Sequence, residues 1–384
     1  MMEKCMNEKV RSYIPDDLVF CILSKLPLKS LKRFTCVRKT WSVLFENPTF
    51  MNKFRTNFLS IPHSYYNDTS LLLQHKYVYE CDSYTTCVSL NLLSGERYQN
   101  RVKLDFPNPF KEEEPQFQIL YSGSITGIFC LQSINSSEDI VLWNPTTNEF
   151  KVLPCSSIYS IRPYDTFQPI FGFGYDPVND DYKIIRNAHY PREISRHPVW
   201  EIYSLRRNLW RKIDIDFPFS FWDNDGLYMD GICHWLSKCY DNDEHYLVSF
   251  YLSNEVYITT LIPLDIIFED KDKYVVARRL LMLNGSLACF TGYEYDDKTT
   301  FHISLLGEIG VKESWTKLFV IELGPKIFPV GVGMNGETFF LNSDEELVYF
   351  NICTQMKVEL GCVERKPYST QVIIYKKNLH SFEN

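Results

Sequence analysis

Four side chains between residues 233 and 245 have the chemistry of metal ligands. They are Cys233, His234, Cys239 and His245. A structural zinc ion takes four such ligands in a tetrahedron. On a β-strand, the adjacent Cys233 and His234 would point to opposite faces. This spacing argues against a shared ion, and we expect no bound metal.

A second candidate is the glycine pattern Gly331-x-Gly333-x-x-Gly336, which matches a dinucleotide-binding fingerprint by letter. Phosphate binding by that fingerprint requires a helix N-terminus directly after the glycines. Here the next residues, 338–341, are Thr-Phe-Phe-Leu, which predict a strand. We therefore expect no nucleotide and no other cofactor.

Acidic residues cluster at 223–225 and 241–244, together with asparagines. Neither cluster has the complete twelve-residue pattern of a calcium loop, so both are interpreted as solvated turns. The 8 histidines offer no Ser-His-Asp or Cys-His set that can be preferred over chance. The sequence predicts a protein that is not itself an enzyme.

Charge divides the chain into two regions. The 384 residues are 45% hydrophobic, enough for a sizeable core, and carry a net charge of −8. Residues 1–58 hold 11 Lys and Arg against 5 Asp and Glu, a net of +6, while the remainder holds 29 against 43, a net of −14. The basic region suits an acidic protein partner by electrostatic steering. The acidity of the whole argues against nucleic acid as a partner.

We expect neither a signal peptide nor a membrane span. Residues 1–13 lack the apolar core of a signal peptide, and no run approaches the roughly eighteen apolar residues of a spanning helix. Without a secretory signal, all 12 cysteines are expected to be free thiols. These features favour the cytoplasm or the nucleus and give no reason to expect membrane association.

Residues 14–54 contain three short amphipathic segments, separated by Pro27 and by the stretch 37–40. Each has apolar residues at helical spacing. The three stripes are Leu18, Ile22, Leu23 and Leu26; Leu28, Leu31, Phe34 and Val37; and Trp41, Leu44 and Phe45. Helices this short cannot bury all of these side chains against one another, because domains near forty residues usually need a staple or a partner. The pattern predicts an apolar surface kept for another protein.

This region resembles the F-box, the motif that docks a protein onto the Skp-type adaptor of a cullin-based ubiquitin ligase. The resemblance covers residues 12–54 and lies in Ile14-Pro15-x-Asp17-Leu18, Ile22-Leu23-x-x-Leu26-Pro27, Ser30-Leu31-x-x-Phe34-x-x-Val37 and Trp41. Ile14 stands where leucine is usual, a swap of similar volume. The adaptor-binding residues that the resemblance implies are Ile14, Pro15, Leu18, Ile22, Leu23, Leu26, Pro27, Leu31, Phe34, Val37 and Trp41. The alternative is an ordinary helical hairpin that caps the larger domain.

The rest of the chain predicts β-strands, because short runs of Val, Ile, Tyr, Phe and Trp are broken by Gly, Pro and Asn. A pair of strands joined by a polar turn recurs, and the six pairs begin at Val88, Ile140, Trp200, Leu247, Phe301 and Leu347. Their mean interval of about 52 residues is the length of a four-stranded propeller blade. Glycines such as Gly127, Gly231 and Gly285 open the strand before most pairs, and we expect them to permit close approach near the axis. Residues 371–375 are expected to pair with the first blade and close the ring.

The predicted fold is therefore a small all-α N-terminal domain of three helices, followed by an all-β propeller-like domain of about six blades at residues 66–378. The second domain resembles the F-box-associated domain of plant F-box proteins. The matching segments are Leu142-Trp143-Asn144-Pro145-Thr146-Thr147, Phe171-Gly172-Phe173-Gly174-Tyr175-Asp176 and Asp230-Gly231-x-x-x-Trp235-Leu236. A relation to kelch repeats is architectural at most, because their double glycine is missing.

The resemblance implies a non-catalytic substrate-recognition subunit of a Skp–cullin–F-box ubiquitin ligase. It would bind the adaptor, and through it the cullin scaffold, by the F-box, and an unidentified target protein by the propeller. Two other functions stay open: a protein-interaction or carbohydrate-binding propeller that docks the adaptor without ubiquitin transfer, and a propeller enzyme. Target choice is expected from loops, since propeller strands are committed to packing. The longest irregular stretches are 108–116, 154–168, 188–198 and 217–225.

Overall fold

The computed structural model describes residues 14–378 with gaps. The residues outside this description are 1–13, 61–68, 80–84, 96–97, 99, 112–115, 121–122, 135, 137, 157–169, 189–198, 216, 218, 222–225, 240–243, 264–273, 296–297, 325–326, 334–336, 343, 345, 353, 361–366, 368 and 379–384. The chain divides into two compact units, Met1–Ile61 and Pro62–Asn384.

The N-terminal unit is helical. Its elements are α1 (Asp16–Leu23), α2 (Leu28–Phe34), α3 (Lys39–Ser42), a 3-10 turn (Leu44–Glu46) and α4 (Pro48–Ser60). Pro15 and Pro27 directly precede α1 and α2 with φ of −53° and −56°, close to the value that the proline ring fixes. Asp16 and Asp17 lie in the first turn of α1, where the helix dipole favours negative charge.

The three expected helical segments are present, but the third is only one turn of α-helix followed by the 3-10 turn. α4 is an additional helix that our sequence analysis does not predict. Asn47 caps it, because its Oδ1 accepts hydrogen bonds from the backbone N–H groups of Thr49 (3.0 Å) and Phe50 (3.1 Å).

α4 covers the inner face of α1. The ring of Phe20 meets that of Phe50 edge to face at 4.9 Å, and the Asn57 amide donates to the Ser24 hydroxyl at 2.9 Å. The buried apolar residues of this unit are Leu23, Leu28, Leu31, Leu44, Phe50, Met51 and Phe54. A fourth helix therefore supplies part of the apolar contact that three short helices lack.

The second unit is a propeller of six antiparallel sheets, named blades 1 to 6 in chain order. Blade 1 contains β1 (Thr69–Tyr79), β2 (Thr85–Ser94), β3 (Asn100–Leu104) and, from the end of the chain, β25 (Ser369–Lys376). Blade 2 contains β4 (Phe117–Ile119), β5 (Phe129–Ser133), β6 (Ile140–Asn144) and β7 (Glu149–Val152). Blade 3 contains β8 (Ile170–Asp176), β9 (Asp181–Ala188), β10 (Val199–Ser204) and β11 (Leu209–Ile213).

Blade 4 contains β12 (Phe219–Phe221), β13 (Leu227–Met229), β14 (Ile232–Cys239), β15 (His245–Tyr251) and β16 (Val256–Leu261). Blade 5 contains β17 (Tyr274–Leu283), β18 (Ser286–Tyr295), β19 (Lys298–Leu306) and β20 (Trp315–Leu323), with a 3-10 turn at Lys312–Ser314. Blade 6 contains β21 (Phe328–Val332), β22 (Glu337–Leu341), β23 (Leu347–Asn351) and β24 (Met356–Glu359). The last two strands of every blade are the six pairs predicted from the repeat, which confirms six blades.

The innermost strand of each blade lines the propeller axis, and in blade 1 this strand is β25. β17 contacts β21, β21 contacts β25, and Gly123 bridges Ile374 of β25. In blade 4 this position is split, because β12 pairs with one half of β14 and β13 with the other. β25 pairs antiparallel with β1, with Ile373 opposite Leu72. The predicted closure of the ring by the last strand is thus confirmed.

The close approach expected of the strand-opening glycines is present at Gly127, where a Cβ would lie 2.5 Å from Asn378 Cβ, but these glycines do not open the strands at the axis. Gly127, Gly231 and Gly285 precede the second strand of their blades, not the strand at the axis, and have φ of +86°, +81° and +69°. The residues before them, Thr126, Asp230 and Asn284, also have positive φ. Two consecutive positive φ values define a type I′ turn, which favours glycine for its backbone freedom. The glycines therefore shape the hairpin before the second strand in blades 2, 4 and 5.

The core of the propeller lies between blades. One cluster joins blades 2 and 3 through Ile128, Leu142, Phe173 and Tyr203, and another joins blades 3 and 4 through Ile185, Trp200, Trp235 and Phe250. Further clusters join blade 4 to blade 5 and blade 1 to blade 2. Within the described residues, no helix has the length and apolar character needed to cross a membrane.

Candidate functional site

The predicted adaptor-binding residues separate into an exposed set and a buried set. The exposed members are Ile14, Pro15, Leu18, Ile22, Pro27, Phe34 and Val37. Ile14, Leu18 and Ile22 keep 52–54% of their surface accessible, and Val37 keeps 65%. Leu26 and Trp41 are half-buried. Leu23 and Leu31 are buried at 3% and 0% exposure, so they hold the helices together and are not accessible to a partner.

Helical geometry explains this division on α1. Leu18 and Ile22 are four residues apart and share one face, which stays open to solvent. Leu23, one residue further, points into the helical core. A continuous apolar stripe therefore wraps around the helix, and only its inner part is covered by α4.

An ion pair connects the start of α1 with the segment before α3. The Arg38 guanidinium lies 3.7 Å from the Asp16 carboxylate. Val37 precedes Arg38 and Leu18 follows Asp16 by half a turn, so the pair brings two exposed apolar regions of the sequence to one part of the surface. Both charged side chains are largely exposed, and such a pair contributes about 0–1 kcal/mol to stability. The main effect of this ion pair is therefore to position the segment around Val37 beside the start of α1.

The exposed residues at the end of α2 pack beside an aromatic pair and a basic side chain. Phe34 and Trp41 meet edge to face at 6.1 Å. The Lys32 amine lies 4.3 Å from the centre of the Phe45 ring, a cation–π distance, and its partial burial lowers the pKa of this amine. The surface thus combines apolar and cationic groups. We name the exposed set Ile14, Leu18, Ile22, Phe34 and Val37 the apolar surface.

Val43 is an exposed apolar residue that our sequence analysis does not assign to the site. It retains 51% of its surface and lies between α3 and the 3-10 turn. The sequence already indicated that Val43 is exposed, because Val43 falls outside the stripe formed by Trp41, Leu44 and Phe45. An apolar residue on the outer side of a short helix is a candidate for partner contact.

In the propeller, the candidate metal ligands Cys233 and His234 are buried and have structural roles. His234 Nδ1 lies 2.9 Å from the Ser249 hydroxyl, while Cys233 packs in the cluster between blades 3 and 4. Burial raises the pKa of the Cys233 thiol and lowers that of His234 to about 3. A strand, β22, follows the glycines near 331–336, as predicted. In the described part of the chain, no group of three or more His, Cys, Asp or Glu side chains could hold a metal ion.

The loops expected to choose the target are described only in part. In stretches 108–116, 154–168, 188–198 and 217–225, the residues 112–115, 157–168, 189–198 and 222–225, with 218, lie outside the described residues. The residues 223–225 and 241–243 of the two acidic clusters lie outside them as well. The choice of target by these loops and the assignment of the acidic clusters to solvated turns therefore stay predictions.

Comparison with known proteins gives a match over most of the chain. The family model described as the F-box associated beta propeller domain matches residues 76–381. The Arabidopsis thaliana protein At3g16210, which is named as an F-box protein, is 26% identical over 65% of this chain and 61% of its own length. The Arabidopsis thaliana F-box protein At4g19940 is 26% identical over 91% of this chain and 84% of its own length. This chain therefore spans less than two thirds of the first of these relatives.

A protein of known structure from Lactobacillus plantarum aligns with 79% of this chain and 99% of its own, with 8% identity and a TM-score of 0.39. A likeness this low does not bear on function.

Proposed function

The chain belongs to the F-box-associated β-propeller family, and from that premise we propose that it is the substrate-recognition subunit of a Skp–cullin–F-box ubiquitin ligase. In this role the N-terminal unit binds a Skp-type adaptor, and the adaptor links the chain to a cullin scaffold. The propeller binds a target protein.

The observation that carries the proposal is the exposure of the apolar surface on a very small helical unit. Ile14, Leu18, Ile22 and Val37 each leave more than half of their surface in water. Burying a side chain of this kind contributes about 1.5–3 kcal/mol, a gain that the four exposed side chains make only when a partner covers them. Clustered exposure of this kind marks a protein-interaction site.

Charge supports the same partner class. Lys29, Arg33, Arg38 and Lys39 are exposed in the same unit as the apolar surface, and residues 1–58 carry a net charge of +6. Exposed basic residues beside a docking site accelerate association with an acidic protein and give little affinity by themselves. We therefore expect an adaptor whose docking face is apolar with acidic residues around it.

The proposed role needs no catalytic side chain in this protein. A subunit that holds a target close to a charged ubiquitin-conjugating enzyme raises the effective concentration of the target lysine. The rate gain then comes from proximity, and the chain contributes two binding surfaces. The proposed location is the cytoplasm or nucleus. None of the eight cysteines within the described residues forms a disulfide, as expected in a reducing compartment.

The proposal is tested by affinity purification of the full chain from plant cells with and without a proteasome inhibitor, followed by quantitative mass spectrometry. A Skp-type adaptor and a cullin should be recovered in both conditions, and one or more target proteins should increase with the inhibitor. The double variant Leu18→Glu with Ile22→Glu should lose the adaptor and cullin but retain the targets. Recovery of propeller partners without adaptor or cullin would contradict the ligase role. Target levels that do not respond to the inhibitor would favour a binding module without ubiquitin transfer.

A further inference from the structure

The outermost strands of the six blades differ in charge. These strands are β3, β7, β11, β16, β20 and β24. Five of them contain a lysine, at Lys103, Lys151, Lys212, Lys317 and Lys357. The sequence of β16, Val-Tyr-Ile-Thr-Thr-Leu, has no charged residue and no proline. Lysine and proline on an edge strand discourage pairing with another chain, so β16 is the one outer strand without that protection.

The backbone of β16 presents hydrogen-bonding groups to its outer side. The Ile262 N–H donates to the His245 carbonyl at 2.9 Å, which fixes the hydrogen-bonded pairs between β15 and β16. In an antiparallel ladder these pairs alternate along the strand. With the observed register, the N–H and C=O groups of Tyr257, Thr259 and Leu261 therefore point away from β15. Those of Thr259 and Leu261 have no hydrogen bond in the described part of the chain.

The side chains beside this edge are apolar or small. Val256 and Ile258 keep 48% and 40% of their surface exposed, and Val311 of the neighbouring blade keeps 40%. The loop that contains Val311 is held against β16, because the Gly310 N–H donates to the Thr260 hydroxyl at 2.7 Å. Val256, Ile258 and Val311 thus form an apolar strip along the edge of blade 4, with the exposed Lys312 at the end beside Val311.

We propose that β16 pairs edge to edge, antiparallel, with β16 of a second copy of this chain. A two-fold axis at Thr259 places Thr259 opposite Thr259 and Leu261 opposite Tyr257. All three outward-pointing residues of each strand then meet outward-pointing residues of the other, which is the condition for a continuous ladder. The two blades become one extended sheet across the dimer axis.

A second copy fits this edge because β16 is complementary to itself in that register. Val256 falls opposite Ile262 and Ile258 opposite Thr260, so no facing pair within the strand contains a charged residue. The charged residue nearest to β16 along the chain, Glu255, falls opposite Pro263, and its carboxylate is already paired with Arg211. No like charges face each other, whereas directly opposed like charges destabilise a sheet. The isologous arrangement is the commonest form of homodimer.

The test is analytical ultracentrifugation of the purified full chain across a concentration series. We expect a monomer–dimer equilibrium. Ile258→Lys should raise the dissociation constant at least tenfold, because it places a lysine at the edge. Thr259→Pro should do the same by a different route, since it removes an outward N–H that β15 does not use. The matched control is Val320→Lys, an exposed position on the outer strand β20, which should leave the dimer unchanged.

A Thr259→Cys variant tests the register. Hydrogen-bonded opposite residues have Cα atoms about 5.5 Å apart, but their Cβ atoms are wider apart than a disulfide prefers. A short bis-maleimide, which spans two thiols without that restriction, should therefore produce a 259–259 link identified by mass spectrometry of the joined peptides. The proposal is overturned if the chain stays monomeric at all concentrations. It is equally overturned if the β16 variants dimerise as the unchanged chain does, if Val320→Lys dissociates the dimer, or if no 259–259 link forms. A monomer whose Ile258→Lys variant loses a bound target would assign the edge to that target instead.

Discussion

The Arg186 guanidinium, fully buried on β9 of blade 3, lies 3.2 Å from the Glu138 carboxylate in the turn between β5 and β6 of blade 2. Glu201 on β10 binds the same guanidinium at 3.2 Å, and the Trp210 ring lies 4.1 Å from it. One cation therefore joins two blades. Burial raises the pKa of Glu138, and Arg186 acts in the opposite direction.

We predict that Arg186→Met destabilises the propeller by about 3–5 kcal/mol, because it leaves two carboxylates buried without their counter-charge. Thermal unfolding followed by circular dichroism in the β region measures the effect. The matched control is Lys298→Met, which removes an exposed pair with Glu322 and should cost no more than about 1 kcal/mol. Equal melting temperatures for the two variants would show that the buried pair does not hold the blades together.

The closing strand is predicted to be essential for the second unit. Removing residues 369–384 deletes β25, exposes the edge of β1 and uncovers Leu71, Leu72 and Leu73, which are fully buried. We expect an insoluble chain, or one without a cooperative β-type unfolding transition. Removing only residues 380–384 keeps the hydrogen bonds of Asn378 to Asn144 and Thr126 and should leave the transition unchanged. A soluble, cooperatively unfolding product of the longer deletion would contradict the closure.

Two buried histidines predict acid sensitivity. Burial lowers the pKa of His75 to about 4 and that of His234 to about 3, whereas the unfolded chain has values near 6.5. Below pH 6.5 the unfolded state binds more protons, so stability falls as the pH decreases toward 4. Each histidine contributes a slope of about 1.4 kcal/mol per pH unit.

The contribution of one histidine is isolated by His234→Asn. Glu138, whose pKa is raised, acts in the opposite sense in both proteins and cancels in the comparison. Denaturant unfolding between pH 7 and 5 should show a shallower loss of stability for the variant, although the variant is less stable at pH 7. Parallel pH curves would contradict a neutral buried His234.

The different burial of Leu31 and Leu18 leads to a prediction about the stability of the helical unit. Leu31 is fully buried and Leu18 is half-exposed, although both belong to the predicted adaptor-binding set. Leu31→Ala should destabilise the unit by about 2–5 kcal/mol, while Leu18→Ala should change its stability by less than about 0.5 kcal/mol. Hydrogen exchange of the α1 and α2 amides in the full chain measures both. Similar exchange in the two variants would mean that the burial of Leu31 does not stabilise the unit.

The sequence was sufficient to predict the outer two strands of every blade, because their alternating apolar residues and polar turns repeat at a nearly constant interval. It also predicted β25, because this apolar segment follows the sixth blade and has no strand of that blade to pair with. The strands at the axis were harder to predict. β4, β12 and β13 have only three residues each, too few to produce a period-two signal.

The helical unit shows a different limit. α4 has apolar residues at Phe50, Met51, Phe54 and Phe58, a helical spacing with an asparagine cap at Asn47, so its signal was present in the sequence. Which side of each stripe stays exposed could not be predicted from the sequence. Leu31 and Phe34 have the same character and lie one turn apart, and only the tertiary packing of the unit leaves Leu31 buried and Phe34 exposed.

Calorimetric titration of the full chain with a purified Skp-type adaptor tests the central claim most directly. The unchanged chain should bind, and Leu18→Glu with Ile22→Glu should weaken binding by at least a hundredfold, since two charges replace apolar contacts. The control Val178→Glu, at an exposed valine of the propeller, should bind normally, and all three proteins should share the β-type melting transition. Absence of binding by the unchanged chain, or equal binding by the Leu18 and Ile22 variant, would contradict the assignment of the apolar surface to the adaptor.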